Sequence, residues 1–337
     1  MEGYIKKFTH ISVADMNEVG AKNAFLGEIF THIALKDIKV PEGFAITSTA
    51  FRRFIAYNKL DGVHAKLLAQ IDRNKNSNIG EIGKKARGLI LGARMPGDLS
   101  DCISAAYHEL SAKSSPEVAV RSSAIYEDLF HISVKDKHET YLNIQGEKAL
   151  LEWVKKCFAS LYSDKALRSD FHKDYDKVIA VGVQKMIRAD KGCSGFAYTV
   201  DPLSGFTDVI HLSGVWGLGE KMVEERITPD EFIVYKPILP LGKKSIIQKT
   251  MGSKSRMMVY NEDTESVPVV EIETPGELKE KFVLTDEEIL TIANWGMTLE
   301  SYYNSPMGLE WAKDGNCQEL YLLQAKPKNF KRYCSLN

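Results

Sequence analysis

An α+β fold of two lobes, a mixed α/β N-terminal lobe followed by a β-rich C-terminal lobe, is what this sequence predicts, on three observations. Helical and extended patterns alternate through the first part of the chain. After the helical pattern that ends near Ser163, short β-rich runs take over, separated by Gly, Pro and Asp turns. At 337 residues with 44% hydrophobic content, the chain has apolar material for one large or two ordinary domains without staples.

The elements follow in order. The spacing predicts a helix from near Lys22 (AKNAFLGEIFTHI), an apolar strand GFAIT, and a helix containing FRRFIAY capped by Ser48 or Thr49. Polar stretches at Asn74–Asn78 and Ala112–Pro116 bracket a segment of helical periodicity, after which EVAVRSS reads as a buried strand ending in a polar cluster. Over Glu147–Ser163, Leu150, Leu151, Val154, Cys157, Phe158 and Leu161 recur at helical spacing and form one apolar face, which is core. The runs KVIAVGVQKMI, SGFAYTVD, DVIHLS and DEFIVYK predict a mainly antiparallel second lobe, with the hinge near Gln184 and lobes 1–183 and 184–337. A last amphipathic helix, DEEILTIANWGMTLESYY, precedes strands MGLEWAK and ELYLLQAK, joined at the turn-forming Asp314–Gly315. Such a pair of lobes suits a clamp around a nucleotide, although composition alone does not distinguish it from other α+β architectures.

Charge sets limits. Lysine plus arginine (44) nearly balances aspartate plus glutamate (45), so no global field draws the chain to nucleic acid or an anionic membrane. The N-terminal residues lack a signal peptide's apolar region, and no run approaches the roughly 18 apolar residues of a membrane span. A cytoplasmic protein is expected. The five cysteines (Cys102, Cys157, Cys193, Cys317, Cys334) show no Cys-x-x-Cys pair and read as reduced, mostly core residues.

Several segments carry side chains suited to phosphate chemistry. In VGAKNAFLGEI, Gly20 and Ala21 allow close backbone approach and Lys22 places a charge at a helix start. Alone, that pattern favours a solvated first-turn lysine. In VAVRSSAIYEDL an apolar strand delivers Arg121, with Ser122 and Ser123, into a loop, where its planar fork suits polyphosphate or, equally, a salt bridge to Glu127 or Asp128. Thr140 could donate to a phosphate or fill a strand. Gln184 could read an adenine edge or bond a neighbouring strand, and Lys185 could reach the base or the α-phosphate. Glu220, after Gly217 and Gly219, could hold a ribose or a metal, although a lone Gly-x-Gly is a weak signal. Glu310 and Gln324 sit on adjacent strands, and alternation lets them share a face with Lys326: two oxygen ligands of the kind Mg²⁺ prefers beside a cation. From spacing alone, an ordinary surface Glu and Lys pair explains these three as well.

Taken together, VGAKNAFLGEI, VPEGFAITSTAF, VAVRSSAIYEDL, HETYLNIQG, VGVQKMIRAD, WGLGEKMVEERITPDEFIVYK, KTMGSK, LEWAKDG and LYLLQAKP resemble, in this order, the ATP-binding domain of the phosphoenolpyruvate synthase and pyruvate phosphate dikinase family, and are similar to rifampicin phosphotransferase. The likeness runs from about Val19 to Pro327. It implies an ATP-grasp fold that splits ATP and phosphorylates a histidine on a mobile domain, which carries the phosphoryl group to pyruvate at a barrel domain. By the same resemblance Lys22, Arg121, Thr140, Gln184, Glu310 and Gln324 occupy ATP-binding positions, Lys22 and Arg121 act on the phosphates, and Glu310 with Gln324 holds Mg²⁺.

Departures from the pattern are equally specific. Asp136 stands where the family's phosphate-covering loop has glycine, Pro306-Met307-Gly308-Leu309-Glu310 replaces Pro-Met-Asp-x-Glu, and Lys326 replaces an arginine. The chain ends at Asn337, and none of its eight histidines lies in anything like the carrier motif, so a phosphohistidine carrier and a pyruvate-binding barrel are expected on separate chains. Two functions follow: an ATP-dependent phosphotransferase component working with a carrier or small acceptor in trans, or a catalytically degenerate nucleotide-binding or scaffold protein.

Overall fold

The computed structural model describes residues 3–33, 37–72, 77–111, 115–125, 140–168, 178–219, 227–261 and 269–328. The chain forms two compact units, one from the described residues of Met1–Thr31, Glu42–Asp128 and Asp136–Met186, the other from those of His32–Pro41 and Ile187–Asn337.

In the first unit the elements run β1 (Ile5–Lys7), α1 (Met16–Glu28), β2 (Gly43–Ile46), α2 (Ser48–Tyr57), α3 (Asp61–Leu68), α4 (Ile79–Gly92), α5 (Gly97–Glu109), β3 (Val118–Ala124), β4 (Thr140–Ile144), α6 (Glu147–Ser160), α7 (Asp164–Arg168) and β5 (Ile179–Lys185). The strands form one sheet in the order β1-β2-β5-β3-β4. Every neighbouring pair in it is antiparallel. The β5 segment, grouped by sequence with the β-rich part, is thus the central strand of this sheet. Its residues are buried from Ile179 through Gln184, and only a central position covers both faces of such a run. The α2 cap is Thr47, whose Oγ1 accepts from the Ala50 amide, rather than Ser48 or Thr49, because Thr47 is the last extended residue before the helix. The periodic segment before β3 divides into α4 and α5, parted where Pro96 holds an extended conformation.

Alternation splits this sheet into two unlike faces. Phe44, Ile46, Val118, Val120, Val181 and Val183 face one side and join Phe51 and Phe54 of α2, Tyr107 of α5 and Phe158 of α6 in the core. Burying each large apolar side chain stabilises the unit by about 1.5–3 kcal/mol. The other face is lined by the register partners Ala119 and Gln184, Arg121 and Gly182, and Ser123 and Ala180.

The second unit contains β6 (Cys193–Tyr198), β7 (Val209–Trp216), β8 (Asp230–Tyr235), β9 (Ile246–Thr250), β10 (Arg256–Tyr260), β11 (Val269–Glu273), α8 (Gly276–Lys279), α9 (Asp286–Tyr303), β12 (Met307–Lys313) and β13 (Leu320–Pro327). Six strands form the sheet β13-β12-β6-β7-β8-β9, and β10 pairs with β11. All these pairings are antiparallel, as the sequence predicts for this part. Helix α9 begins in a capping box between Thr285 and Glu288 and packs on the sheet. That sheet face is apolar: Leu212, Phe232, Leu309, Trp311 and Ala325 are almost wholly buried. The opposite face carries Phe196, Tyr198, Glu310 and Lys326, all partly exposed. Between β12 and β13 the connection is longer than a two-residue turn: Asp314 accepts the amides of Arg188, Asn316 and Cys317, and Gln318 takes a φ of 61°.

A buried charge pair organises the β8 end. Asp230 and Lys254 are both fully buried, with Lys254 Nζ 2.5 Å from Asp230 Oδ1. The same carboxylate accepts from the amides of Gly252 and Val283 at 2.8 and 2.9 Å. Four donors and acceptors are thereby satisfied in the interior, where an unpaired charge would be costly. Of the described cysteines, Cys157 and Cys193 are buried, Cys102 is half-buried and Cys317 exposed, and all are free thiols. No described helix is long and apolar enough to cross a membrane.

Candidate nucleotide site

In the first unit, α1 is built around a kink. Gly20 has φ 76° and ψ 158° inside an otherwise helical run. A Cβ there would lie 2.2 Å from Ser123 Oγ and 2.7 Å from the Ser123 carbonyl oxygen, so both the backbone angle and the close approach to β3 require glycine. The helix resumes at Ala21, which makes Ala21, Lys22 and Asn23 a first turn. Asn23 lies against Gly182 of β5, where a Cβ would fall 2.3 Å from its Oδ1. The start of this turn therefore rests on the polar sheet face that bears Arg121, Ser123 and Gln184.

Arg121 stands within β3 rather than in the loop expected for it, with Gly182 opposite on β5 and Thr140 opposite on β4. It is held in register by ladder bonds, which fix where its guanidinium starts. Gln184 is 2% exposed, with Ala119 and Gly43 as cross-strand partners. Its Nε2 and the Ser123 hydroxyl are buried without a hydrogen-bond partner among the described residues. Leaving a buried donor unsatisfied costs about 1–3 kcal/mol. Lys185, one residue on, is exposed at the strand end and by alternation points to the side opposite Gln184. Arg121, Thr140 and Gln184 are thus gathered by one face, Lys22 lies in the helix turn that rests on it, and Lys185 points the other way.

In the second unit, Glu310 and Gln324 are direct register partners on β12 and β13, and Lys326 is paired with Gly308. A bulge after Glu310 leaves Leu323 unmatched, and Gln324, Lys326 and Glu310 share the half-exposed face with Phe196 and Tyr198 of β6. Sequence reading missed Lys328. It is 7% exposed, and its Nζ has no hydrogen-bond partner among the described residues and sits 5.8 Å from the Tyr198 ring centroid. Burial first, and then the neighbouring Lys326 charge, push its pKa down to about 8, against the pull of Glu310. Burial, aided by Glu310, raises the Tyr198 phenol to about 12. The two-residue step from Lys326 to Lys328 was the available signal, since it continues one strand face.

Gly217 takes a positive φ and bridges to Met258, with its carbonyl accepting from Ser194 Oγ at 2.6 Å, so this glycine serves packing. Glu220, Glu127, Asp128 and the loop containing Asp136 lie outside the described residues. Among the described residues no group of three or more His, Cys, Asp or Glu is placed to hold a metal ion.

Comparison with known proteins identifies the family. The family model described as "Pyruvate phosphate dikinase, AMP/ATP-binding domain" matches residues 16–333. Phosphoenolpyruvate synthase of Aquifex aeolicus is 41% identical over 330 residues, covering 94% of this chain and 38% of the relative. That of Neisseria meningitidis is 38% identical over 98% of the chain and 42% of the relative, and that of Escherichia coli 37% over 96% and 42%. The chain therefore spans well under half the length of these curated relatives. With a match across nearly all of its length, the chain belongs to the pyruvate phosphate dikinase AMP/ATP-binding domain family.

Proposed function

We propose that this chain binds ATP and serves as the nucleotide-handling component of a phosphotransferase of the phosphoenolpyruvate synthase type, with the fold of an ATP-grasp unit. The observation that carries the reading is the polar face of the first sheet. Its buried Gln184 amide donor lacks an acceptor among the described residues, and a purine ring nitrogen is an acceptor of the right kind. On the same face the helix turn opened by Gly20, the Lys22 ammonium and the Arg121 fork supply amide dipoles and charge for phosphates. Thr140, opposite Arg121, adds a hydroxyl.

For phosphoryl transfer these groups do the work of positioning and charge neutralisation. A P–O bond of the nucleotide breaks, and the phosphoryl group passes to a nucleophile, a histidine on a separate carrier chain or a small acceptor. Lys22 and Arg121 stabilise the oxygens on which charge accumulates.

The Mg²⁺ expected on Glu310 and Gln324 does not fit the residues present. They contribute one carboxylate and one amide, Gly308 adds no ligand, and the Lys326 and Lys328 ammoniums occupy the same face. This favours a second reading, in which the chain binds nucleotide without turning it over.

Calorimetric titration with ATP, followed by assay of the same sample for AMP and phosphate, tests both. Lys22→Ala and Arg121→Ala are each expected to weaken ATP binding by about 1.5–3 kcal/mol, the range for a charge-assisted hydrogen bond. Unchanged affinity in both variants would sink the site assignment. Turnover on adding a phosphohistidine carrier chain would remove the second reading.

A further inference from the structure

We infer that Lys328 is a phosphate-binding residue on the Glu310 face, its ammonium standing in for a protein-held divalent cation, so that this chain takes a nucleoside polyphosphate without metal.

Four observations converge. Lys328 Nζ is buried and, among the described residues, has neither a hydrogen-bond nor an ion-pair partner. Buried ammoniums are retained against their desolvation cost when something anionic completes them. Its stem packs where a side chain at 308 would be: a Cβ on Gly308 would fall 2.9 Å from Lys328 Cε and 3.2 Å from its Cγ. The absence of a side chain at 308 is therefore what admits the lysine. Its Nζ lies near the Tyr198 ring, whose face favours a cation there. Finally, charge on this face sums in favour of an anion, because Lys326 and Lys328 outnumber Glu310, the one carboxylate on the β12–β13 register.

A divalent cation placed beside Glu310 would meet two ammoniums, whereas a polyphosphate oxygen would be met by them. The neutral Gln324 amide, directly opposite Glu310, can donate to the same oxygen. Lysine binds phosphate as a point charge, so no fixed fork geometry is needed. This inference rests on the reading that the chain binds nucleotide, and it concerns the Glu310 face of the second unit by itself.

The test is calorimetric titration of the full chain with ATP, and with inorganic tripolyphosphate, in EDTA and in excess Mg²⁺. The wild-type chain is expected to bind ATP in EDTA, with Lys328→Met weakening that binding by at least about tenfold and Lys328→Arg retaining most of it. Lys328→Met should also melt higher than wild type without ligand, because an uncompensated buried charge has gone. Gly308→Asp keeps the lysine in the sequence but puts a side chain where its stem packs, so the ammonium must shift and metal-free affinity should fall to a similar extent. It decides the matter even for a Lys328→Met chain that folds poorly. ATP binding by wild type only with Mg²⁺, or equal metal-free affinity in wild type and Gly308→Asp, would overturn the role of Lys328 and leave the nucleotide reading standing. No ATP binding in either condition would overturn both.

Discussion

Lys254 and Asp230 make the clearest case for what single residues do here. Both lie at 0% exposure, and the aspartate serves the Lys254 ammonium and the Gly252 and Val283 amides at once. Removing one partner strands the other in the interior. Asp230→Ala is expected to destabilise the second unit by about 3–5 kcal/mol, read as a lower urea midpoint. A change under about 1 kcal/mol would mean that water reaches Lys254 and the pair is not closed. The KTMGSK motif contains Lys254, so a segment that resemblance ties to nucleotide binding includes a residue whose partners are structural. Lys328 is the reverse: its position carries no familiar motif, and its surroundings single it out.

At the scale of elements, sheet alternation separates core from site in both units. In β3, the order Val118, Ala119, Val120, Arg121 sends valines to the core and the small and charged residues to the other face. In β12, Leu309 and Trp311 face α9 while Glu310 faces outward. The β12–β13 connection adds a pH dependence. Burial opposes ionisation of Asp314, but the amides of Arg188, Asn316 and Cys317 outweigh it and hold the carboxyl below the usual range. A depressed folded-state pKa contributes stability that is complete above the ordinary carboxylate pKa and is lost as pH falls through the folded value. Urea midpoints should therefore fall on acidification more steeply in wild type than in Asp314→Asn, and parallel curves would show that the loop does not depend on that charge.

For the whole molecule, ligand binding and stability are linked. ATP that binds the folded chain and not the unfolded one should raise unfolding free energy by about 2.7 kcal/mol at a hundredfold excess over Kd. Thermal melts with increasing ATP check this, and a flat melting temperature would exclude folded-state binding. Adding EDTA to the same melts should leave the shift in place if Lys328 serves as inferred. The chain covers only 38% to 42% of the length of several phosphoenolpyruvate synthases.

Much of this was legible in the residues themselves. The order of motifs identified the family, the periodicities of α6 and α9 placed those helices, and alternation let Glu310 and Gln324 share a face on adjacent strands, where the register pairs them directly. These depend on local spacing, which the chain states directly. Tertiary structure alone decided that β5 is the centre of the first sheet, that residues 32–41 belong with the second unit, and that Lys328 fills the space beside Gly308. Each depends on which distant segments meet and on what is left unpaired when they do. Burial and unsatisfied hydrogen bonds are properties of the packed chain and have no counterpart in local pattern.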